Sequence, residues 1–167
     1  NINAHEEGAL LQAMDQQSRK NHANLNFLFQ SQQENYRQTE AYLSLTSSFS
    51  FRHPLEPMRG WAISPDFGLH LITHILRQKP KHILELGSGI STILAGYALE
   101  KSDSGEIITL EHTAEYFKHS QMNLSNHALE GYAKILHAPL KSYSIKGKKW
   151  LWYDIDDLPW EKNSINT

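Results

Sequence analysis

The residues with the clearest chemical potential are Gly87, Ser88 and Gly89, which directly follow the short apolar run 81–86. Glycines in this position let the backbone turn tightly and approach a ligand, because no Cβ stands in the way. Residues 90–100 then show a helical pattern, and the first N–H groups of a helix have no partner inside it. Those donors would point at the space beside the glycines, which suits an anionic or strongly polar ligand. Strand, glycine turn and helix together predict a loop for a nucleotide-type cofactor.

An acidic residue, Glu111, ends a second apolar run and lies 22 residues after Gly89. This spacing is close to the ~20 residues expected for an acid that accepts hydrogen bonds from both ribose hydroxyls. A carboxylate suits that role because its two oxygens can accept two O–H donors at once. Taken singly, the glycines could form a plain turn and Glu111 a solvated strand end. Together they favour a nucleotide site at the carboxyl ends of neighbouring parallel strands.

The segments that position these residues alternate between strand and helix patterns. Short apolar runs are typical of buried parallel strands, and apolar residues three or four apart are typical of helices. The alternation predicts an α/β fold, a Rossmann-like doubly wound parallel sheet in a three-layer α/β/α arrangement. This class usually has five or more strands, so we expect an incomplete sheet with its remaining strands beyond Thr167. The predicted strands are 81–86, 106–111 and 132–137, and the predicted helices are 66–78, 90–100 and 113–129.

Local residues refine the ends of these segments. Ser64 before Pro65 predicts the N-cap of the first of these helices, and Gly131 predicts the C-cap of the last. Residues 141–149 are mostly polar and contain Gly147, so we interpret them as a connection before the aromatic run 150–153.

Residues 1–50 differ in composition from residues 51–167, which carry the predicted cofactor domain. They contain no proline, and Leu11, Met14, Leu25 and Leu28 share a 3-4 spaced stripe. The stripe is interrupted by polar residues, whereas a true coiled coil keeps its apolar positions over three or four heptads. Two interpretations stay open: a coiled coil or helical hairpin that forms a homodimer, and an amphipathic helix laid against the domain.

Composition excludes several classes of function. The net charge of -2 gives no electrostatic case for nucleic acid or an anionic membrane, and the absence of cysteine excludes disulfides and thiolate chemistry. No apolar run approaches the ~20 residues that a membrane span needs, and we expect a cytoplasmic protein. The ten histidines form no cluster with carboxylates at ligand spacing, so we expect no metal site.

The motif Glu85-x-Gly87-x-Gly89, with Glu111 after the second strand, resembles class I S-adenosylmethionine-dependent methyltransferases. Four spaced blocks are similar to one bacterial subgroup of that family, and together they cover about residues 55–155. The blocks are RGWAISPD (59–66), LELGSGIST (84–92), LEH (110–112) and HAPL (137–140).

The resemblance implies that S-adenosylmethionine is the cofactor and assigns roles to individual residues. Gly87, Ser88 and Gly89 would cradle the methionine part of the cofactor. Glu85 would orient the loop or meet the methionine amino group, and Glu111 would hold the ribose hydroxyls.

Further positions follow from the same motifs. Ala138, Pro139 and Leu140, together with His112, would flank the adenine. Ser91 and Thr92 open the helix where other members of the family carry a third glycine, and Trp61 and Ser64 would close over the cofactor from the N-terminal side.

The implied reaction is methyl transfer to an O or N nucleophile of an unidentified small-molecule or glycan-type acceptor. Such a transfer needs alignment of the reacting groups, and a base only where the acceptor must lose a proton. No catalytic base is identified, because Asp154, Asp156 and Asp157 have the composition of a polar loop and the acceptor site is expected beyond Thr167. The alternatives are an NAD-dependent oxidoreductase, although Thr92 occupies the place of its third glycine, and a non-catalytic assembly module.

Overall fold

The computed structural model describes residues 3–156, except for the side chains of residues 4–7. The chain falls into two units, Asn1–Ala41 and Tyr42–Thr167, and Asp157 lies outside the described residues. In chain order the elements are α1 (Ala4–Ser48), α2 (Pro65–Gln78), β1 (His82–Leu86), α3 (Ile90–Ser102), β2 (Glu106–Glu111), α4 (Ala114–Asn126), β3 (Ala133–His137), β4 (Leu140–Ile145) and β5 (Lys148–Tyr153).

The first unit is one continuous stretch of α1, a helix of 45 residues. No proline interrupts it, and i,i+4 contacts such as the Asp15–Arg19 ion pair support its surface. Side chains 8–37 are exposed, including those of the apolar stripe. Although α1 is long, none of the described helices combines that length with the apolar composition of a membrane span. The role of this segment in pairing chains stays a prediction.

The second unit is built on a parallel sheet with strand order β1-β2-β3. His82 pairs with Glu106 at one end of the sheet, and Glu111 pairs with His137 at the other. The predicted α/β, Rossmann-like parallel fold is therefore confirmed, and all three carboxyl ends meet at one edge. The described strands number three in this sheet, as the sequence predicts for residues 81–137.

The three helices α2, α3 and α4 cover one face of this sheet. Their buried side chains form a single apolar cluster with Ile107, Ala133 and Ile135, which all point to that face. On the opposite face, Leu84 and Leu86 are 56% and 45% exposed. The described elements thus form two layers, and a third layer of the predicted α/β/α arrangement is not among residues 42–156.

Gly68 allows α2 to pack closely in this cluster. A Cβ at this position would lie 2.9 Å from side-chain carbons of Leu45 and Met58 and 3.0 Å from one of Leu94. These contacts are tighter than a methyl group tolerates, so glycine here is a packing requirement rather than a turn signal.

The end of α4 differs from the prediction. The helix stops at Asn126 and not near Leu129, and His127 is its C-cap. Ala128 then adopts a left-handed φ of 49°, which turns the chain out of the helix before Gly131 is reached. Gly131 is therefore not the cap. The burial of His127 fixes the end of the helix, and a local sequence pattern does not reveal that burial.

The interpretation of residues 141–149 as a polar connection is wrong. Strands β4 and β5 form an antiparallel hairpin in which Leu140 pairs with Tyr153 and Ile145 with Lys148. The two turn residues, Lys146 and Gly147, have φ values of 51° and 75°, as a type I′ turn requires. Alternating polar residues concealed the strands, and the glycine in a two-residue turn was the signal that could have revealed them.

A polar cluster around the buried Tyr97 and His127 connects the junction after α1 to the domain. The Tyr97 hydroxyl lies 2.9 Å from His127 Nδ1 and accepts a hydrogen bond of 2.7 Å from the backbone N–H of Arg52. Arg52 also donates from Nε to the His127 carbonyl and forms an ion pair with Glu100. His127 is fully buried, and its Nε2 has no partner among residues 3–156.

This cluster makes stability depend on pH. Burial, and then the positive charges of His53 and Arg52, lower the pKa of His127. The folded state therefore resists protonation, so stability is full above the unfolded pKa of about 6.5 and falls as the pH drops below it. We expect urea unfolding to show a lower free energy at pH 5 than at pH 7.5.

His127→Gln is the matched variant, because it keeps a polar side chain but cannot titrate. The loss of stability on acidification should be smaller in this variant than in the wild type. Equal losses in both proteins would contradict the role of His127.

Candidate functional site

The glycine loop lies at the carboxyl end of β1. Gly87 has a φ of 86°, which favours glycine, and its N–H donates to the Leu110 carbonyl at 2.8 Å. This bond fixes the loop to β2. A Cβ on Gly89 would meet no atom within 4 Å, so the space beside the loop is open. The loop has the geometry that a close backbone contact with a ligand requires.

Glu85 stabilises the loop through hydrogen bonds to two threonines. Its Oε2 accepts hydrogen bonds from the hydroxyls of Thr92 at 2.6 Å and Thr109 at 2.7 Å. The same Thr92 hydroxyl accepts from the Gly89 N–H at 3.2 Å. Burial raises the pKa of Glu85, and hydrogen bonds from Ser91, Thr92 and Thr109 oppose that rise. This chain of bonds connects β1, β2 and the start of α3 with the loop.

Glu111 joins the loop to the end of β2. Its Oε2 accepts from the Ser88 N–H at 2.9 Å and the Ser88 hydroxyl at 3.0 Å, and its Oε1 accepts from the Thr113 N–H at 2.9 Å. The side chain is only 4% exposed. Burial alone would raise the pKa of Glu111, but the hydrogen bonds from Thr113 and Ser88 and the charge of His112 outweigh it and lower the pKa. A negative charge is therefore held at this point at neutral pH.

The predicted adenine side lies next to Glu111. The Ala138 N–H donates to the Glu111 carbonyl at 2.8 Å, and His112 Nδ1 lies 3.3 Å from Glu111 Oε1. Ala138 is buried, whereas Leu140 is partly exposed at the base of the hairpin β4–β5. Three of the predicted positions, Glu111, His112 and Ala138, are thus brought together at the strand ends.

A cleft of about 660 Å³ opens beside the loop, a volume within the usual range for small-molecule sites. Trp61 stands at this cleft with a fully exposed side chain. The predicted site residues that line the cleft are Glu85, Gly87, Ser88, Gly89, Ser91 and Trp61.

Two of the predicted positions serve other contacts. Thr92 is 1% exposed, and its hydroxyl is engaged with Glu85. Ser64 is not among the residues that line the cleft, and its hydroxyl donates to Asp66 Oδ1 at the start of α2.

Sequence reasoning missed four residues that shape the site: Thr109, Thr113, Ser120 and Tyr153. Thr109 lies two residues before Glu111 on one strand and so shares its face, a signal that strand periodicity offers. Ser120 lies on α4, and its hydroxyl is 2.8 Å from that of Ser88. No local pattern identifies Ser120, because only the packing of α4 brings it there.

No protein-family model matches the chain, and no curated protein matches it. Among solved structures, the chain is similar to an SAH-bound methyltransferase from Podospora anserina, with 23% identity and a TM-score of 0.45 over 61% of this chain and 41% of that one. It is also similar to an O-methyltransferase from Bacillus cereus in complex with SAH, with 20% identity and a TM-score of 0.43 over 60% of this chain and 42% of that one. The chain spans about two-fifths of the length of these structures. At this level of similarity, what they bind does not by itself describe this chain.

Proposed function

We propose that the chain is the cofactor-binding part of an S-adenosylmethionine-dependent methyltransferase. The observation that carries this proposal is the charged, buried Glu111 bonded to Ser88 of the glycine loop. It combines an acceptor for ribose hydroxyls with an open glycine surface at the carboxyl ends of β1 and β2, where ligands of α/β sheets bind. The motif and its spacing support the same cofactor.

The residues present fit an adenosyl group. Glu111 Oε1 accepts one protein hydrogen bond and Oε2 accepts two, so Oε1 keeps a free lone pair for a ribose hydroxyl. The Ser88 hydroxyl has a second partner, Ser120, 2.8 Å away. It can turn to Ser120 and free Oε2 for the second ribose hydroxyl without leaving its own hydrogen bond unmade.

The methionine part of the cofactor would lie along Gly87, Ser88 and Gly89. Bound S-adenosylmethionine supplies a positively charged sulfonium whose methyl group is open to displacement by an O or N nucleophile. The negative charge of Glu111 favours that cationic ligand, and Glu85 keeps the loop in place. The chain's contribution to the reaction is then alignment of the methyl donor.

The acceptor, a small molecule or a glycan, and any general base are not assigned to described residues. Asp154 and Asp156 do not stand free as candidates, because both form ion pairs with Lys141. An NAD-dependent oxidoreductase is the alternative, and Thr92 at the place of the third glycine disfavours it, since its hydroxyl already bonds Glu85.

Removal of Glu111 tests the ribose role. We expect Glu111→Ala to weaken binding of S-adenosylhomocysteine by about 1.5–3 kcal/mol, or roughly tenfold to a hundredfold, because charge-assisted hydrogen bonds are lost. Isothermal titration calorimetry measures the affinity. Glu106→Ala is the matched control, since it removes an acid from the opposite end of the same strand and should leave the affinity unchanged. Equal affinities of Glu111→Ala and the wild type would refute the role.

We also propose that α1 pairs with α1 of a second copy. Its described side chains from residue 8 onward carry three acids and three bases, so two copies do not repel each other. An antiparallel pair with its centre at the level of residue 27 would place Leu25 opposite Phe29, on the face that carries the apolar stripe. This arrangement would cover apolar side chains that are 63% and 65% exposed in the single chain.

A charge placed in the apolar stripe tests the pairing. We expect light scattering over a concentration series to give twice the chain mass for the wild type and a shift to monomer for Leu25→Glu, which places a charge in the apolar interface. Lys20→Glu is the matched control, because Lys20 lies on the side of α1 opposite Leu25 and Phe29, and its replacement should leave the dimer intact. A wild-type chain that stays monomeric throughout would exclude the pairing.

A further inference from the structure

Tyr153 lies outside the glycine loop and the parallel strands, at the end of the hairpin β4–β5. It ends β5 and pairs with Leu140 at the base of the hairpin. The base is fixed to the domain, because the Asp154 N–H donates to the Pro139 carbonyl at 2.8 Å. Tyr153 is half-buried, whereas Trp150, Leu151 and Trp152 on the same strand are all exposed.

The side chain of Tyr153 spans the two ends of the predicted cofactor site. Its ring meets the His112 ring edge to face, with centroids 5.9 Å apart. Its hydroxyl oxygen lies 3.9 Å from the place that a Cβ on Gly87 would take. One residue therefore reaches from the end of β2, beside Glu111, to the glycine turn after β1.

The hydroxyl of Tyr153 has no hydrogen-bond partner among residues 3–156. Burial, and then the negative charges of Glu111 and Glu85, raise the pKa of Tyr153, so the phenol is neutral and keeps its proton. A hydroxyl that lies beside the glycine turn and bonds none of the described residues is available as a donor or acceptor for a ligand at that turn. A purely structural tyrosine in this environment would bond its hydroxyl to the protein.

We propose that Tyr153 contacts the bound cofactor, with its ring against the nucleoside and its hydroxyl toward the methionine end. This inference rests on the proposed function, because the ligand is an S-adenosyl compound. The hairpin β4–β5 thereby becomes part of the cofactor site, and the ring adds an aromatic surface of the kind on which bases and nucleosides pack.

Two ligands and three variants test the proposal by calorimetry. S-adenosylhomocysteine carries the amino acid part, and 5′-methylthioadenosine lacks it. We expect Tyr153→Ala to weaken both ligands by roughly tenfold or more, since the aromatic contact is lost. Tyr153→Phe keeps the ring, so it should weaken S-adenosylhomocysteine by about threefold and leave 5′-methylthioadenosine unchanged.

Trp150→Ala is the matched control, because it removes an exposed aromatic side chain from the opposite face of the same strand. Its affinities should equal those of the wild type. If it weakens binding as much as Tyr153→Ala, the hairpin merely needs to fold, and the proposal is overturned. Wild-type affinity in Tyr153→Ala would also overturn the proposal but would leave the proposed function intact. If the wild type binds neither ligand, the proposed function itself fails.

Discussion

The structure around the site depends on the hydrogen bonds between Glu111 and Ser88. A carboxylate buried at the end of β2 must be paired, and it finds both the N–H and the hydroxyl of the glycine loop after β1. This pairing fixes the distance between two strand ends that are far apart in sequence. It also holds a negative charge beside an open backbone surface. The same hydrogen bonds therefore determine both the shape of the loop and the charge beside it.

Glu85 and Glu111 illustrate how similar residues acquire different roles from their surroundings. Burial dominates at Glu85 and raises its pKa, whereas donors outweigh burial at Glu111 and lower its pKa. The first carboxyl group braces the loop through two threonines. The second keeps its charge and accepts hydrogen bonds from the glycine loop. Such separation of neighbouring carboxyl groups is common where one supports a site and the other acts in it.

Sequence periodicity predicted the three parallel strands and the glycine loop, because buried strands and tight turns constrain residue types locally. The spacing between Gly89 and Glu111 predicted that the glycine loop and the acid lie together, because the carboxyl ends of neighbouring parallel strands meet at one edge of the sheet. Sequence periodicity did not predict the hairpin β4–β5, because its strands are polar and exposed and depend on the Lys146–Gly147 turn. Nor could it identify Ser120 or Tyr153, which reach the site only through the packing of α4 and the anchoring of the hairpin base.

We propose that the strand ends at Gly87 and Glu111 bind an S-adenosyl compound. Calorimetric titration of the wild-type chain with S-adenosylhomocysteine, run beside NAD, distinguishes this proposal from a nicotinamide site. We expect saturable binding of S-adenosylhomocysteine at one site per chain and no binding of NAD. Binding of NAD alone would contradict it and would favour an oxidoreductase.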